Sequence, residues 1–265
     1  MRRLLGGLVT AVALMTTSMT ASAGTTLDDI AKSGELRVCF DAGYMPFEMK
    51  SKNGSYVGFD IDMGKMMARQ MGVKYVPVNT AWDGIIPTLL TGKCHLINAG
   101  MTINAKRNMR VNFAEPYIVI GQSILLSPKL EGKVNNYRDL NDSKYTIAAK
   151  LGTTGEQAIS RMISKAKVNL FETQAEALLE VQNGKADAFV YDMPFNAIYS
   201  SQNAGELVHL DQPFTYEPLG WAIAQGDMDM LNFLNNYLRQ VKGDGSYDRI
   251  YAKWFKSDAW LKQVQ

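Results

Sequence analysis

The residues best suited to chemistry in this chain lie in Asn98-Ala99-Gly100-Met101-Thr102-Ile103-Asn104-Ala105-Lys106-Arg107. Small residues and a threonine stand where a buried strand turns out of its sheet, and an arginine follows. Backbone N–H groups, a hydroxyl and a planar guanidinium fork together make a receptor for a carboxylate. A second stretch, Lys150-Leu151-Gly152-Thr153-Thr154-Gly155-Glu156, opens a helix, where unpaired N–H groups attract an anion. It lacks the G-x-x-x-x-G-K-[ST] spacing of a phosphate loop, so a small carboxylate is the better match. Tyr191-Asp192 ends another strand pattern with an acid that suits an ammonium group or an exposed surface. Asp41-Ala42-Gly43-Tyr44-Met45-Pro46-Phe47 sets an acid at a strand end, then a turn, then aromatics, the composition of a pocket wall. Trp82 precedes Asp83, a candidate helix cap, and suits either a core or a ligand platform.

Catalysis is poorly served by contrast. The two histidines, His95 and His209, stand outside any motif, and no G-x-S-x-G, H-E-x-x-H or paired C-x-x-C occurs. Met63, Met66, Met67 and Met71 recur at helical spacing and read as a core face. The chain reads as a binder rather than an enzyme, with no catalytic residue, cofactor or metal expected.

The elements that must position these residues alternate between strand and helix. Strands are predicted over 36–40, 74–78, 95–99, 145–149, 168–171, 188–191 and 219–224. Helices are predicted over 59–71, 83–90, 154–165, 174–182, 228–242 and 247–254. Alternation of this kind predicts parallel sheets covered by helices, with ligands bound outside the carboxyl ends of the strands. A weak internal repeat supports two such units. The helix, Gly-Lys and strand of residues 85–100 recur at 177–192, and both copies end on residues of ligand-contacting type.

Arg2 and Arg3, an apolar run from Leu4 to Met15 and the closing Ala21-Ser22-Ala23 read as a secretory signal peptide cleaved after Ala23. Its loss removes two arginines and no acid from 28 Lys+Arg and 26 Asp+Glu, leaving a formally neutral chain. That balance argues against nucleic acid as a partner. Export favours pairing of Cys39 and Cys94. If Cys94 begins a strand beside Leu36–Asp41, with Ala99 level with Asp41, the two are offset by about 10 Å, too far for a disulfide.

Five segments in order resemble the periplasmic polar-amino-acid binding proteins of ABC importers, family 3 of the bacterial extracellular solute-binding proteins. They are Gly58-Phe59-Asp60-Ile61-Asp62, Trp82-Asp83-Gly84-Ile85-Ile86-Pro87, Gly100-Met101-Thr102-Ile103 with Arg107, Phe113-Ala114-Glu115-Pro116-Tyr117, and Tyr251-Ala252-Lys253-Trp254-Phe255. The resemblance implies a two-lobe α/β fold of the type II periplasmic-binding-protein class, its cleft lying between lobes joined by two hinge crossings. Residues 24–118 with 220–265 would form lobe 1 and residues 119–219 lobe 2. It further implies a periplasmic monomer that delivers a free L-amino acid to a membrane permease.

Carried over to this sequence, Arg107 resembles the arginine that grips the α-carboxylate, helped by the Gly100 backbone and by Thr102. Thr154, in the loop with Thr153, would add an N–H to the same group. Asp192, after Tyr191, resembles the acid that takes the α-ammonium. Tyr44 and Trp82 match an aromatic pair that sandwiches the side chain, with Phe47 behind, and Asp41 matches an acid reading its distal end. Asn98 and Ala99 replace serines of some relatives, and Asn104-Ala105 replaces an acid often found before Lys-Arg. Asp41 as acceptor with Lys150 as donor favours a glutamine-like side chain; Lys150 turned to solvent would favour a basic one. The Gly58–Met63 run also resembles exported cyclohexadienyl dehydratases on this fold, which would need Asp41, Lys150 or Glu156 as general acid.

Overall fold

A computed structural model describes residues 25–264; the expected signal peptide lies outside them. Two five-stranded sheets organise the chain. The first runs in the order Lys74–Asn79, Glu35–Phe40, Leu96–Ile97, Ala222–Ala224, Val111–Phe113. The second runs Lys167–Phe171, Thr146–Lys150, Ala188–Asp192, Gln122–Leu126, Val208–Leu210. A ribbon of Ile118–Ile120 against Glu217–Leu219 lies where the chain leaves the first sheet and where it returns.

The sheets are mixed rather than wholly parallel. Glu35–Phe40 pairs parallel with both neighbours, but Ala222–Ala224 runs antiparallel to Leu96–Ile97 and Val111–Phe113. Gln122–Leu126 likewise runs antiparallel to both of its neighbours. Each of these strands follows a crossing directly, so the chain enters its sheet from the ribbon with no helix in between. The predicted strand over 219–224 is split, with Leu219 ending the ribbon and Ala222 starting the sheet strand. Gly220 makes the break: a Cβ there would stand 2.7 Å from Ile103 Cδ1.

The helix Phe59–Met71 shows how local sequence sets the frame. Its N-cap is Gly58, at φ 141°, where a Cβ would stand 2.1 Å from the Phe47 carbonyl oxygen. Gly72, at φ 72°, closes the other end in the left-handed conformation. Met63 and Met67 are fully buried in the core with Phe59, Trp221 and Tyr237, so the methionine stripe is a packing face. Asp62 accepts from the Trp254 indole N–H at 2.8 Å, which ties the Gly58–Asp62 and Tyr251–Phe255 segments together. Pattern alone missed the helices Thr26–Ser33 and Met193–Gln202 and the strand Gln122–Leu126.

Cys39 and Cys94 form a disulfide, with Cα atoms 5.7 Å apart, which overturns the expected separation. The strand register is the one assumed, Cys39 lying beside Ile97. Cys94 does not begin a strand, because the ladder holds only Leu96–Ile97. It lies in the turn after the helix Ile85–Leu90 and packs with Cys39, Ile85 and Leu89.

Candidate ligand cleft

The carboxyl ends of strands from both sheets meet. From the first come Asp41, just past Glu35–Phe40, and the loop after Leu96–Ile97; from the second come Lys150 and Asp192. Between them lies a cavity lined by eleven of the expected residues: Asp41, Tyr44, Trp82, Gly100, Thr102, Arg107, Lys150, Thr153, Thr154, Tyr191 and Asp192. Phe47 and Met101 do not line it. Phe47 stacks behind Tyr44, ring centroids 4.5 Å apart, and Met101 faces an outer groove beyond Trp82. Glu156 also lies on that groove, its carboxylate accepting from the Gly152 N–H at 2.6 Å.

The receptor loop is held from below. Just past Ile97, Asn98 donates its side-chain amide to the Asp60 carbonyl at 2.8 Å. The Gly100 N–H donates to Asp60 Oδ2, also at 2.8 Å, and the Tyr117 hydroxyl reaches the same oxygen at 2.9 Å. The Gly100 N–H is thus committed to the protein, correcting the expectation that it helps grip a ligand carboxylate. What it supplies is a loop pinned in shape.

Arg107 stands on the short helix Ala105–Asn108, capped by the Asn104 side chain. Its guanidinium donates to the carbonyls of Thr102 at 2.8 Å and Gly152 at 3.3 Å, and lies 5.2 Å from the centre of the Trp82 ring. No Asp or Glu pairs with it among the described residues. Burial lowers its pKa to about 10, yet it stays cationic at neutral pH.

Opposite lies Asp192, at the end of Ala188–Asp192, accepting from the Tyr44 hydroxyl and the Gln122 amide. Burial raises its carboxyl to about 7 against those two hydrogen bonds. Lys150 is buried and faces inward, bonded to Asp41 and, at 3.0 Å, to Gln174. It does not point to solvent. The Trp82 indole N–H donates to the Gly152 carbonyl at 3.0 Å, and the Thr102 and Thr154 hydroxyls pair at 3.3 Å. With Tyr44–Asp192 and Asp41–Lys150, these contacts draw the two sheets together over the cavity.

Sequence reasoning missed Glu48, Gln174, Gln122 and Asp60. Glu48 and Gln174 line the cavity, while Gln122 and Asp60 orient groups that do. Asp60 lies within Gly58–Asp62, but nothing in its neighbours marks a carboxyl turned under another loop. Glu48 carried no signal beyond its place one residue after Phe47.

Two α/β lobes facing across paired crossings, with cation and acid on opposed strand ends, define a type II periplasmic amino-acid-binding fold. The chain belongs to the bacterial extracellular solute-binding proteins, family 3, whose pattern matches residues 36–257. It is 52% identical to a binding component of an ABC transporter from Wolinella succinogenes solved with lysine. That likeness covers 87% of this chain and 99% of the other, at a TM-score of 0.83. It is 48% identical to a reconstructed ancestral amino-acid-binding protein described as a precursor of cyclohexadienyl dehydratase, covering 87% and 100%, TM-score 0.83. A probable histidine-binding protein of Neisseria gonorrhoeae is 32% identical over 84% of this chain and 83% of that one.

Proposed function

We propose that this protein is an exported periplasmic receptor that captures a free polar L-amino acid and delivers it to an ABC permease. Arg107 is the observation that carries the reading. A buried guanidinium without a carboxylate is costly unless something else completes it, and this one faces the cavity. The ligand α-carboxylate fits there, flanked by the Thr102 and Thr154 hydroxyls. The α-ammonium fits Asp192, taking the place of the Tyr44 hydroxyl. The side chain then runs toward Asp41, Lys150, Glu48 and Gln174.

Lobe 1 in this reading is residues 24–118 with 220–265, and lobe 2 residues 119–219, after removal of residues 1–23. The contacts that draw the two sheets together cross the cavity mouth, so an amino acid enters only as the lobes part. Contacts to both lobes then favour closure, since a ligand shifts a conformational balance only by its differential affinity.

Among polar side chains, a basic one is favoured. Asp41 is already matched by Lys150, but Glu48 adds a further acid to the same end of the cavity. The Wolinella relative holds lysine, and a second structure of the ancestral relative, TM-score 0.69, is described as a cationic amino acid solute-binding protein. A glutamine-like side chain is the second reading, supported by the inward-facing Lys150 ammonium. A thermal-shift screen against the common amino acids decides. At a thousandfold excess over Kd, a ligand stabilises the native state by about 4 kcal/mol. A shift with lysine or arginine supports the first choice, a shift with glutamine alone the second. No shift with any amino acid, together with turnover of prephenate or arogenate, would replace the receptor by a dehydratase.

A further inference from the structure

Gln122 begins the strand Gln122–Leu126, just beyond the ribbon strand Ile118–Ile120, and is fully buried. Its backbone is tied to the returning chain: its N–H donates to the Thr215 hydroxyl at 2.9 Å, and its carbonyl accepts from the Phe214 N–H at 3.0 Å. Its side-chain amide nitrogen carries two protons and meets two acceptors, Asp192 Oδ1 and, at 3.3 Å, Thr154 Oγ1. The amide oxygen has no partner among the described residues, and a Cβ on Gly155 would stand 3.0 Å from it. The opposite orientation would set that oxygen against the Asp192 carboxylate, acceptor against acceptor. A buried amide with an orphaned oxygen is costly. What this one keeps are ties to the groups proposed above for the two poles of the ligand, its α-ammonium and its α-carboxylate.

Gln122 is not among the residues lining the cavity, so it acts through the two that are. On Asp192 it occupies Oδ1. That leaves Oδ2, which accepts from the Tyr44 hydroxyl, as the oxygen an α-ammonium takes over. On Thr154 it fills an acceptor site, so the hydroxyl keeps its own proton to give, with Thr102 Oγ1 3.3 Å away. We propose that Gln122 is a positioning residue that sets the polarity of the clamp. It holds Thr154 as a donor to the α-carboxylate and Asp192 as an acceptor for the α-ammonium, at one fixed spacing. This role rests on the amino-acid receptor reading above.

A double-mutant cycle of wild type, Gln122→Met, Thr154→Val and the pair tests it. Calorimetry is run with each common amino acid that binds wild type, L-lysine, L-arginine and L-glutamine first. Gln122→Met is expected to weaken binding at least about tenfold, through two lost hydrogen bonds, one of them to a charged group. In the Thr154→Val background the same change should cost at least about threefold less, because the hydroxyl it oriented is gone. A residue that only fills space would weaken both backgrounds equally. That result, or near-native affinity in Gln122→Met, would overturn the proposal. Wild type that binds none of the common amino acids would overturn the receptor reading itself. If Gln122→Met does not fold, Gln122→Glu keeps the shape and reverses the polarity. The new carboxylate draws the Thr154 proton to itself, so binding should again fall at least about tenfold; undiminished affinity would overturn the proposal.

Discussion

Gly100 and Tyr44 are in such close contact that no side chain fits between them. A Cβ on Gly100 would stand 2.3 Å from Tyr44 Cε1, and the glycine sits at φ +55°. The carboxylate-receptor loop and the aromatic wall are therefore built against each other. Gly100→Ala is expected to cost about 1–3 kcal/mol of stability. Amino-acid affinity should weaken with it, because the loop and the aromatic wall that line the cavity are pushed apart. Urea denaturation and calorimetry check both. Adding Tyr44→Phe should not rescue the variant, since the clash is with ring carbons and not with the hydroxyl.

Arg107→Met should separate binding from stability. Loss of charge-assisted hydrogen bonds to a carboxylate is expected to weaken binding at least about a hundredfold. The unliganded protein should be as stable or more so, because a buried cation without an anionic partner is replaced by an apolar chain of similar length. Near-native affinity in this variant would remove Arg107 from the site.

Asp192 supplies a pH signature of definite sign. Its folded pKa, raised to about 7, lies above the ordinary carboxylate value, so the native state holds a proton the unfolded chain has lost. The stability this contributes is complete below about pH 4 and is lost as pH rises through about 7. The two histidines, both lowered by burial, act in the opposite direction. The difference in unfolding free energy between wild type and Asp192→Asn cancels them. That difference should fall as pH rises from about 4 to 7, at up to about 1.4 kcal/mol per pH unit. A flat difference would mean that Asp192 is ionised throughout.

The Cys39–Cys94 disulfide spans 55 residues of chain. Replacing both cysteines with serine, or reducing them, is expected to lower stability by about 2–4 kcal/mol. Neither cysteine lines the cavity, so amino-acid affinity should change little. A large loss of affinity at unchanged stability would contradict this division of roles.

Much of the fold was legible because it depends on local pattern. Apolar periodicity found the Phe59–Met71 helix to the residue, since Gly58 and Gly72 bound it. It also found the strands that end in Lys150 and Asp192, whose buried runs admit little else. It failed where pairing rather than periodicity decides. The strand Gln122–Leu126 and the split at Gly220 depend on which neighbours the returning chain meets. The disulfide failed for a related reason: strand register was predicted well, but the turn that carries Cys94 leaves the strand line.

The same division holds within the site. Residue types at strand ends singled out Asp192 and Asp41, the loop leaving a buried strand singled out Arg107, and the family resemblance added Lys150. Whether Lys150 turns inward and whether Gly100 spends its N–H on the protein depend on contacts between distant segments. Sequence by itself picked out residue types suited to a carboxylate and to an ammonium group. Only the tertiary structure decided which of those charges are already matched, because burial and pairing belong to the folded arrangement and not to any residue alone.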